Sequence, residues 1–241
     1  LVLGLGETGV SMANWLVRRG SRVRVADSRR APPGLDQLAQ GADISLHLGG
    51  FAAGAFTNVD CIAISPGIDR RDPSIAPILD AKLQAGVPLL GDVEIFAQAL
   101  NGVGASPKIA AITGTNGKTT VTSLTGAMCK AAGLDCEVAG NISPAVLDAW
   151  MQRETKGSMP GGWVLELSSF QLESTASLQA DCATVLNLTE DHLDRHGTMD
   201  AYAAAKARIF YGHGVQILNR EDARCLAMAL PGRDVWTFGL E

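Results

Sequence analysis

Short apolar segments rich in Val, Ile and Leu alternate with helical periodicity along the whole chain. In the first hundred residues, strands are predicted at residues 1–4, 22–27, 44–48, 61–65 and 88–90, and helices at 10–19 and 73–85. Near-continuous apolar strands that alternate with helices are typical of a parallel sheet covered on both faces. The pattern therefore predicts an α/β fold.

A segment without periodicity, residues 101–107, separates this series from a second one. Its glycines, serine and proline favour irregular structure, so we place a domain boundary there and expect domains at 1–100 and 101–241. In the second series, strands are predicted at 109–113, 136–139, 163–167, 183–188 and 216–219, and helices at 118–132, 144–153 and 199–210. Residues 154–162 are predicted to form an exposed loop. Both chain ends fall within patterned sequence, so we expect a truncated chain.

Composition narrows the class of protein. The chain of 241 residues is 46% hydrophobic and carries a net charge of −5, which predicts a globular protein without an overall positive field for nucleic acid. The sequence has neither a signal peptide nor an apolar run of the roughly 18 residues that span a bilayer. We therefore expect a cytoplasmic protein without membrane insertion. The five cysteines are an odd number without metal or redox spacing, and we expect buried free thiols.

The strongest chemical signal lies at the start of the second series. An apolar strand runs into Thr113-Gly114-Thr115-Asn116-Gly117-Lys118-Thr119-Thr120, and a helix with Val121, Leu124 and Met128 on its apolar face follows. Glycines let backbone amides approach phosphates, a lysine reaches the outer phosphates, and a threonine hydroxyl can bind magnesium. Ile112 stands where the usual phosphate-loop pattern has its first glycine, so a helix cap that contains Gly-Lys-Thr by chance is the alternative.

A second glycine-rich loop, Gly4-Leu5-Gly6-Glu7-Thr8-Gly9, follows the first predicted strand, and Asp27 ends the next one. This is the spacing of a dinucleotide fingerprint, which by itself predicts a Rossmann-like domain and a nicotinamide-dependent oxidoreductase. The same turn can hold any diphosphate, because it supplies only amides and a helix dipole. Both interpretations stay open at this point.

Three further polar residues stand in unusual positions. Glu166 lies within an apolar strand, where a carboxylate needs either a cation such as magnesium or a buried Arg or Lys. His192 follows Glu190 and Asp191 after another strand, as a metal ligand or as part of a solvated loop. Lys206 lies on a largely apolar helical face, either extending to water or desolvated, with its pKa lowered.

The phosphate loop resembles that of the Mur ligases and their folylpolyglutamate synthetase relatives. Four further stretches carry the resemblance along the chain: Gly-Asn-Ile at 140–142, Leu-Glu-Leu-Ser-Ser-Phe-Gln-Leu-Glu at 165–173, Asn-Leu-Thr-Glu-Asp-His-Leu-Asp-Arg at 187–195 and Ala-Ala-Lys-Ala-Arg-Ile at 204–209. The resemblance implies an ATP-dependent, ADP-forming amide ligase of peptidoglycan synthesis with ATP and Mg²⁺ as cofactors. It also implies a central ATP-binding domain and a C-terminal amino-acid-binding domain that this chain lacks.

Within the family, the pattern is most similar to members that add D-glutamate to UDP-N-acetylmuramoyl-L-alanine through an acyl phosphate, and we expect a monomer. The implied ATP-binding residues are Gly114, Thr115, Asn116, Gly117, Lys118, Thr119 and Thr120. The implied metal ligands are Thr119, Glu166 and His192, and the implied catalytic residues are Lys118, His192 and Lys206, the last as a carbamate. The implied substrate-binding residues are Glu7, Thr8, Asp27, Ser28, Ser65, Gly67, Asn141, Ser168 and Gln171.

Two alternatives compete with the ligase. The oxidoreductase would use the first glycine-rich loop and would give the second loop no role. A non-catalytic nucleotide switch would hydrolyse ATP slowly and form no acyl phosphate. Within the family, acceptors other than D-glutamate stay open, because the part of the chain that would bind the amino acid is absent.

Overall fold

The computed structural model describes residues 1–102 and 106–240, which form two compact units, Leu1–Ile95 and Phe96–Glu241. The predicted linker at 101–107 lies partly outside the described residues, and Asn101 and Gly102 end a helix instead. Among the described residues, no helix is long and apolar enough to cross a membrane.

The first unit contains a five-stranded parallel sheet in the order β3-β2-β1-β4-β5. Its strands are β1 (Val2–Leu3), β2 (Val23–Asp27), β3 (Ile44–Leu48), β4 (Ile62–Ile64) and β5 (Leu89–Leu90). Its helices are α1 (Glu7–Arg18) and α2 (Ala76–Gln84), and α3 (Asp92–Gly102) contains the division between the units. The core includes Leu3, Ala26, Ile62 and Ile64, which come from neighbouring strands.

The second unit contains a six-stranded parallel sheet in the order β11-β10-β9-β6-β8-β7. Its strands are β6 (Lys108–Thr113), β7 (Cys136–Gly140), β8 (Gly162–Glu166), β9 (Cys182–Val185), β10 (Val215–Asn219) and β11 (Val235–Phe238). Its helices are α4 (Lys118–Ala131), α5 (Val146–Lys156), α6 (Ser169–Glu173), α7 (Leu193–His196), α8 (Met199–Ala207) and α9 (Ala223–Leu226). The predicted α/β class with parallel sheets is confirmed.

Several predicted boundaries were wrong for local reasons. Helix α5 continues through Glu154 to Lys156 and ends at Gly157, whose left-handed conformation closes the helix. Strand β9 ends at Val185, before the predicted residue 188, and the next two residues bond Thr113 and Thr115 of the phosphate loop. Strand β11 is an edge strand outside the predicted elements, and Trp236 on it is exposed. Helices α6, α7 and α9 are too short for periodicity to indicate them.

Helix α4 packs on the sheet through a face that matches the predicted one only at Val121. Leu124 and Met128 are 58% and 62% exposed, whereas Thr122 and Gly126 are buried. A Cβ at Gly126 would lie 2.3 Å from Cγ2 of Val138 on β7, so the helix approaches the sheet too closely for a larger residue. Val121 and Cys129 also pack against the sheet core, so the contact is formed by small residues and by Val121, and not by Leu124 or Met128.

The cysteines are free thiols, as predicted, but only Cys225 is buried. The other four, Cys61, Cys129, Cys136 and Cys182, are half-buried. Burial raises the pKa of the Cys225 thiol to about 12, with a smaller contribution from Asp222. Cys225 is thus a core residue and a poor nucleophile.

Candidate nucleotide and metal site

The phosphate loop lies between the carboxyl end of β6 and the start of α4. Gly117 has φ 77°, a left-handed conformation that favours glycine, and α4 begins at the next residue, Lys118. Among the residues that the structure describes, no side chain caps this helix N-terminus. A long helix that begins without a cap presents free amides and partial positive charge, which together attract an anion such as phosphate.

Lys118 folds back over this loop. Its Nζ donates to the carbonyl oxygens of Gly114, at 3.0 Å, and of Thr115, at 2.9 Å. The ammonium group therefore lies over the loop whose amides would contact phosphates. Asn116, Thr119 and Thr120 are exposed.

Helix α8 contacts the same loop through two side chains one turn apart. The hydroxyls of Tyr202 and Thr115 lie 3.2 Å apart, and Nζ of Lys206 donates to the Gly114 carbonyl at 2.8 Å and to Oγ1 of Thr113 at 3.2 Å. Lys206 is 2% exposed, so the alternative of a lysine extending to water is wrong. Burial, and secondarily the charge of Lys118, lower the pKa of Lys206 from 10.5 to about 7.

The segment after β9 holds the loop from another side. The Leu186 amide donates to the Thr113 carbonyl at 2.9 Å, and the Thr115 amide donates to the Asn187 carbonyl at 3.0 Å. Asn187 also bonds the Asn116 backbone in both directions. Asn187 was not among the predicted site residues; it stands in one of the resembling stretches, but its role depends on backbone contacts that no spacing indicates.

Glu166, at the end of β8, is 1% exposed. Its Oε1 accepts a hydrogen bond from Nδ2 of Asn141 at 2.8 Å, whereas its Oε2 is buried and has no hydrogen-bond partner among the described residues. Within this described part of the chain no Arg or Lys pairs with it, so the alternative of a buried salt bridge is not supported. A buried carboxylate oxygen without a donor is costly unless a cation binds it, and carboxylate oxygen is a preferred ligand of Mg²⁺.

The turn after β7 brings Asn141 to Glu166. Gly140 has φ 121°, and a Cβ there would lie 2.2 Å from the Glu166 carbonyl oxygen, so only glycine permits this close approach. The Asn141 amide then donates to the same carbonyl at 2.8 Å. The predicted Gly-Asn-Ile stretch thus orients the carboxylate. Glu166 is paired in register with Ile112, two residues before Gly114.

The other predicted metal ligands are less confined. His192 precedes α7 as its N-cap residue, has φ 50°, and its side chain is 46% exposed. Its ring lies 4.7 Å from that of Phe170, and its Nε2 lies 3.4 Å from Oδ2 of Asp191. Within 1–102 and 106–240, no three His, Cys, Asp or Glu side chains converge on one point that could hold a metal. The predicted metal ligands comprise one glutamate, one histidine and the Thr119 hydroxyl. Their joint binding of a metal ion stays a prediction.

Ser168 and Gln171 form a capping box at the start of α6. Oγ of Ser168 accepts from the Gln171 amide at 3.2 Å, and Oε1 of Gln171 accepts from the Ser168 amide at 3.1 Å. These bonds satisfy two helix-terminal amides. Both residues thus have a structural role, and their predicted contact with substrate stays a prediction.

In the first unit, the glycine-rich loop closes tightly around its own backbone. A Cβ at Gly9 would lie 1.8 Å from the Gly4 carbonyl, and Oγ of Ser65 donates to that carbonyl at 3.0 Å. The Thr8 side chain is half-buried, whereas Glu7, Ser28 and Gly67 are exposed. The exposed positions are accessible to a ligand, and their role stays a prediction.

Asp27 has partners within the chain. It accepts from the Leu5 amide at 2.7 Å, and from the amide, Nε and Nη2 of Arg29 at 2.7 to 2.9 Å. Burial alone would raise the pKa of Asp27, but these hydrogen bonds outweigh it and lower the pKa. The carboxylate that a nicotinamide site would use for ribose is therefore already bonded, which weakens the oxidoreductase alternative.

A glycine-rich loop before an uncapped helix, a lysine above it and a buried carboxylate on the adjacent strand are the features expected of a nucleotide-binding α/β protein. The Mur ligase middle domain model matches residues 112–241, and the model of the Mur ligase MurD-like N-terminal domain matches residues 1–91. The chain therefore belongs to the Mur ligase family.

Relatives named UDP-N-acetylmuramoylalanine--D-glutamate ligase are similar to the chain along its length. The protein from Nitrosospira multiformis is 56% identical over 100% of the chain, and the one from Aromatoleum aromaticum is 54% identical over 99%. The chain covers 51% of each of these proteins, so it spans about half the length of the curated relatives it matches.

Solved structures match the fold at lower identity. The UDP-N-acetylmuramate:L-alanyl-gamma-D-glutamyl-meso-diaminopimelate ligase from Neisseria meningitides aligns with a TM-score of 0.62 at 17% identity, covering 99% of this chain and 77% of that one. The UDP-N-acetylmuramate-alanine ligase from Thermotoga maritima aligns with a TM-score of 0.56 at 18% identity, covering 100% and 52%. Both structures therefore share the fold of this chain.

Proposed function

We propose that this chain is the ATP-binding and UDP-substrate-binding part of a ligase that joins D-glutamate to UDP-N-acetylmuramoyl-L-alanine. The first unit would bind the UDP substrate, and the second would bind ATP. The observation that carries the proposal is the phosphate loop with Lys118 above it, next in the sheet to a strand that ends in the buried Glu166. The names of the relatives supply the substrates.

In this proposal the second unit binds the triphosphate. Amides at the start of α4 would contact the phosphate oxygens, and Lys118 would exchange its bonds to loop carbonyls for the outer phosphates. The substrate's terminal carboxylate attacks the γ-phosphorus, forming an acyl phosphate and releasing ADP. The D-glutamate amine then attacks the acyl carbon, phosphate leaves, and the amine proton passes to a base or to water. Lys118 would offset the repulsion between the two anions of the first step.

The Glu166 carboxylate is the part of the proposed ligand set that suits magnesium best. Glu166 offers a buried carboxylate oxygen without a partner, and Thr119 and His192 offer exposed side chains. When bound, Mg²⁺ supplies positive charge that neutralises phosphate oxygens. The role of this chain's residues is to hold that charge, with Asn141 fixing the orientation of Glu166.

Lys206 is proposed to carry a carbamate. With a pKa of about 7, a large fraction of its amine is neutral near neutral pH. The nitrogen lone pair can then attack the carbon of CO₂, and the nitrogen loses a proton to solvent, which leaves an anionic carbamate. Such a group would place a buried negative charge beside Lys118. The test is Lys206→Ala with and without a short carboxylic acid, and activity that the acid does not restore would contradict the carbamate.

Phosphate release by the full-length protein tests the function. With ATP, Mg²⁺ and UDP-N-acetylmuramoyl-L-alanine, release is expected to depend on D-glutamate, and L-alanine, a diamino acid or a dipeptide is expected not to replace it. Release that depends on another amino acid would assign a different acceptor. Slow release that no amino acid stimulates would favour the nucleotide switch.

A further inference from the structure

We propose that Asn187 is a positioning residue that fixes the phosphate loop in its nucleotide-binding conformation before ATP arrives. The inference rests on the proposed ATP site and adds to it a residue outside the loop. Oδ1 of Asn187 accepts from the Asn116 amide at 2.9 Å, and its Nδ2 donates to the Asn116 carbonyl at 3.1 Å. One carboxamide thus bonds both backbone groups of the residue at the tip of the loop.

The chemistry of this contact is specific. Only a primary carboxamide of this length presents an acceptor and a donor side by side, as a neighbouring strand would. The loop contains Gly114 and Gly117, which add conformational freedom, and the nearby α4 N-terminus has no side-chain cap. Without Asn187, the peptide groups around Asn116 would have to be ordered by the nucleotide itself, and this ordering would reduce its affinity.

The residues on either side of Asn187 in the chain are themselves held by hydrogen bonds. Nδ2 of Asn219 donates to the Leu186 carbonyl at 2.9 Å, and Oδ2 of Asp222 accepts from the Leu188 amide at 2.7 Å. Both neighbours of Asn187 are therefore tied to the carboxyl end of β10 and the turn that follows it. This arrangement lets Asn187 act as a fixed template, and it supplies Asn219 as a matched control that touches the same segment but not the phosphate loop.

The experiment measures amide exchange by NMR and MgATP affinity by calorimetry on this chain. Asn187→Ala is expected to accelerate exchange of the Asn116 amide more than that of Thr115, whose amide bonds a main-chain carbonyl. It should weaken MgATP binding roughly tenfold, the size expected for two lost hydrogen bonds. Asn187→Asp keeps the acceptor and adds a negative charge, so its exchange should be intermediate and its affinity loss at least as large.

Asn219→Ala is expected to lower the melting temperature without selective exchange at Asn116 and without the affinity loss. Unchanged Asn116 exchange in both Asn187 variants would overturn the proposal, as would unchanged affinity or an equal affinity loss in Asn219→Ala. If the unaltered chain binds no MgATP, the proposed function fails first, and the positioning role falls with it. Fast exchange at Asn116 in the variants would then show that the contact is only structural.

Discussion

Asn141 donates its side-chain amide to one carboxylate oxygen of Glu166 at 2.8 Å, and the other oxygen is buried without a partner among the described residues. A structural carboxylate would use both oxygens, because a buried acceptor without a donor lowers stability. The pair therefore indicates a carboxylate that is oriented by the protein and kept for a ligand. Gly140 is what permits this approach.

Glu166→Gln is expected to separate stability from activity. The amide keeps the size of the side chain and removes its buried charge, so the free energy of unfolding without Mg²⁺ should stay equal or rise by about 1 kcal/mol. Ligation by the full-length protein should fall at least about 100-fold, since an electrostatic contact to transferred charge is lost. Urea denaturation and phosphate release measure the two effects, and a strongly destabilised variant would indicate a structural role.

Lys206 is expected to make stability depend on pH. Its pKa is about 7 in the folded chain and 10.5 when unperturbed, so between these values the unfolded state binds a proton that the folded state does not. The stability contribution is present in full above 10.5, decreases as pH falls and is lost below about 7, with a slope of up to about 1.4 kcal/mol per pH unit. Between pH 7 and 8.5, the unfolding free energy of the unaltered chain should rise relative to that of Lys206→Met. A difference between the two proteins that does not change with pH would contradict the burial of Lys206.

The sequence left two possible environments open for several polar residues. The structure distinguishes them most clearly for residues that lie within a single helix or strand. For Lys206, the neighbours at helical spacing predicted an apolar environment, and the burial agrees. The same periodicity failed for α4, because the large residues Leu124 and Met128 could not indicate that the sheet contacts the small Thr122 and Gly126. Close backbone approach favours small residues, and hydrophobicity alone does not detect them.

Contacts between distant segments could not be predicted from spacing. Asn141 and Glu166 are 25 positions apart, and their contact depends on the register of β7 against β8. The side chain of Asn187 bonds main-chain atoms of Asn116, 71 positions away. Motif resemblance indicated that these stretches matter, but not which residue orients which.

The face of α4 is tested by two substitutions on one helix. Gly126→Ala is expected to lower the free energy of unfolding by about 1–3 kcal/mol, because its Cβ would overlap Val138. Leu124→Ala should change it by less than about 0.5 kcal/mol, because the side chain is exposed. Chemical denaturation measures both, and the reverse order would restore the face predicted from the sequence.

Asp27 is expected to be structural in the first unit. Asp27→Asn should lower the free energy of unfolding by about 1–3 kcal/mol at pH 7, since the bonds to Arg29 and Leu5 lose their charge. Because the folded pKa of Asp27 lies below 3.8, this contribution is present above 3.8 and lost as pH falls through the folded pKa. Titration of the unaltered chain with NADH should give no tight binding, and tight binding would favour the oxidoreductase.

The central claim is that the phosphate loop binds a triphosphate whose magnesium is held by Glu166. A crystal structure of the chain with Mg²⁺ and a non-hydrolysable ATP analogue tests it most directly. The expected result is phosphate oxygens on the amides at the start of α4, Lys118 turned onto the outer phosphates, and Mg²⁺ at about 2.1 Å from Oε2 of Glu166. A triphosphate bound elsewhere, or a magnesium ion that does not contact Glu166, would contradict the account.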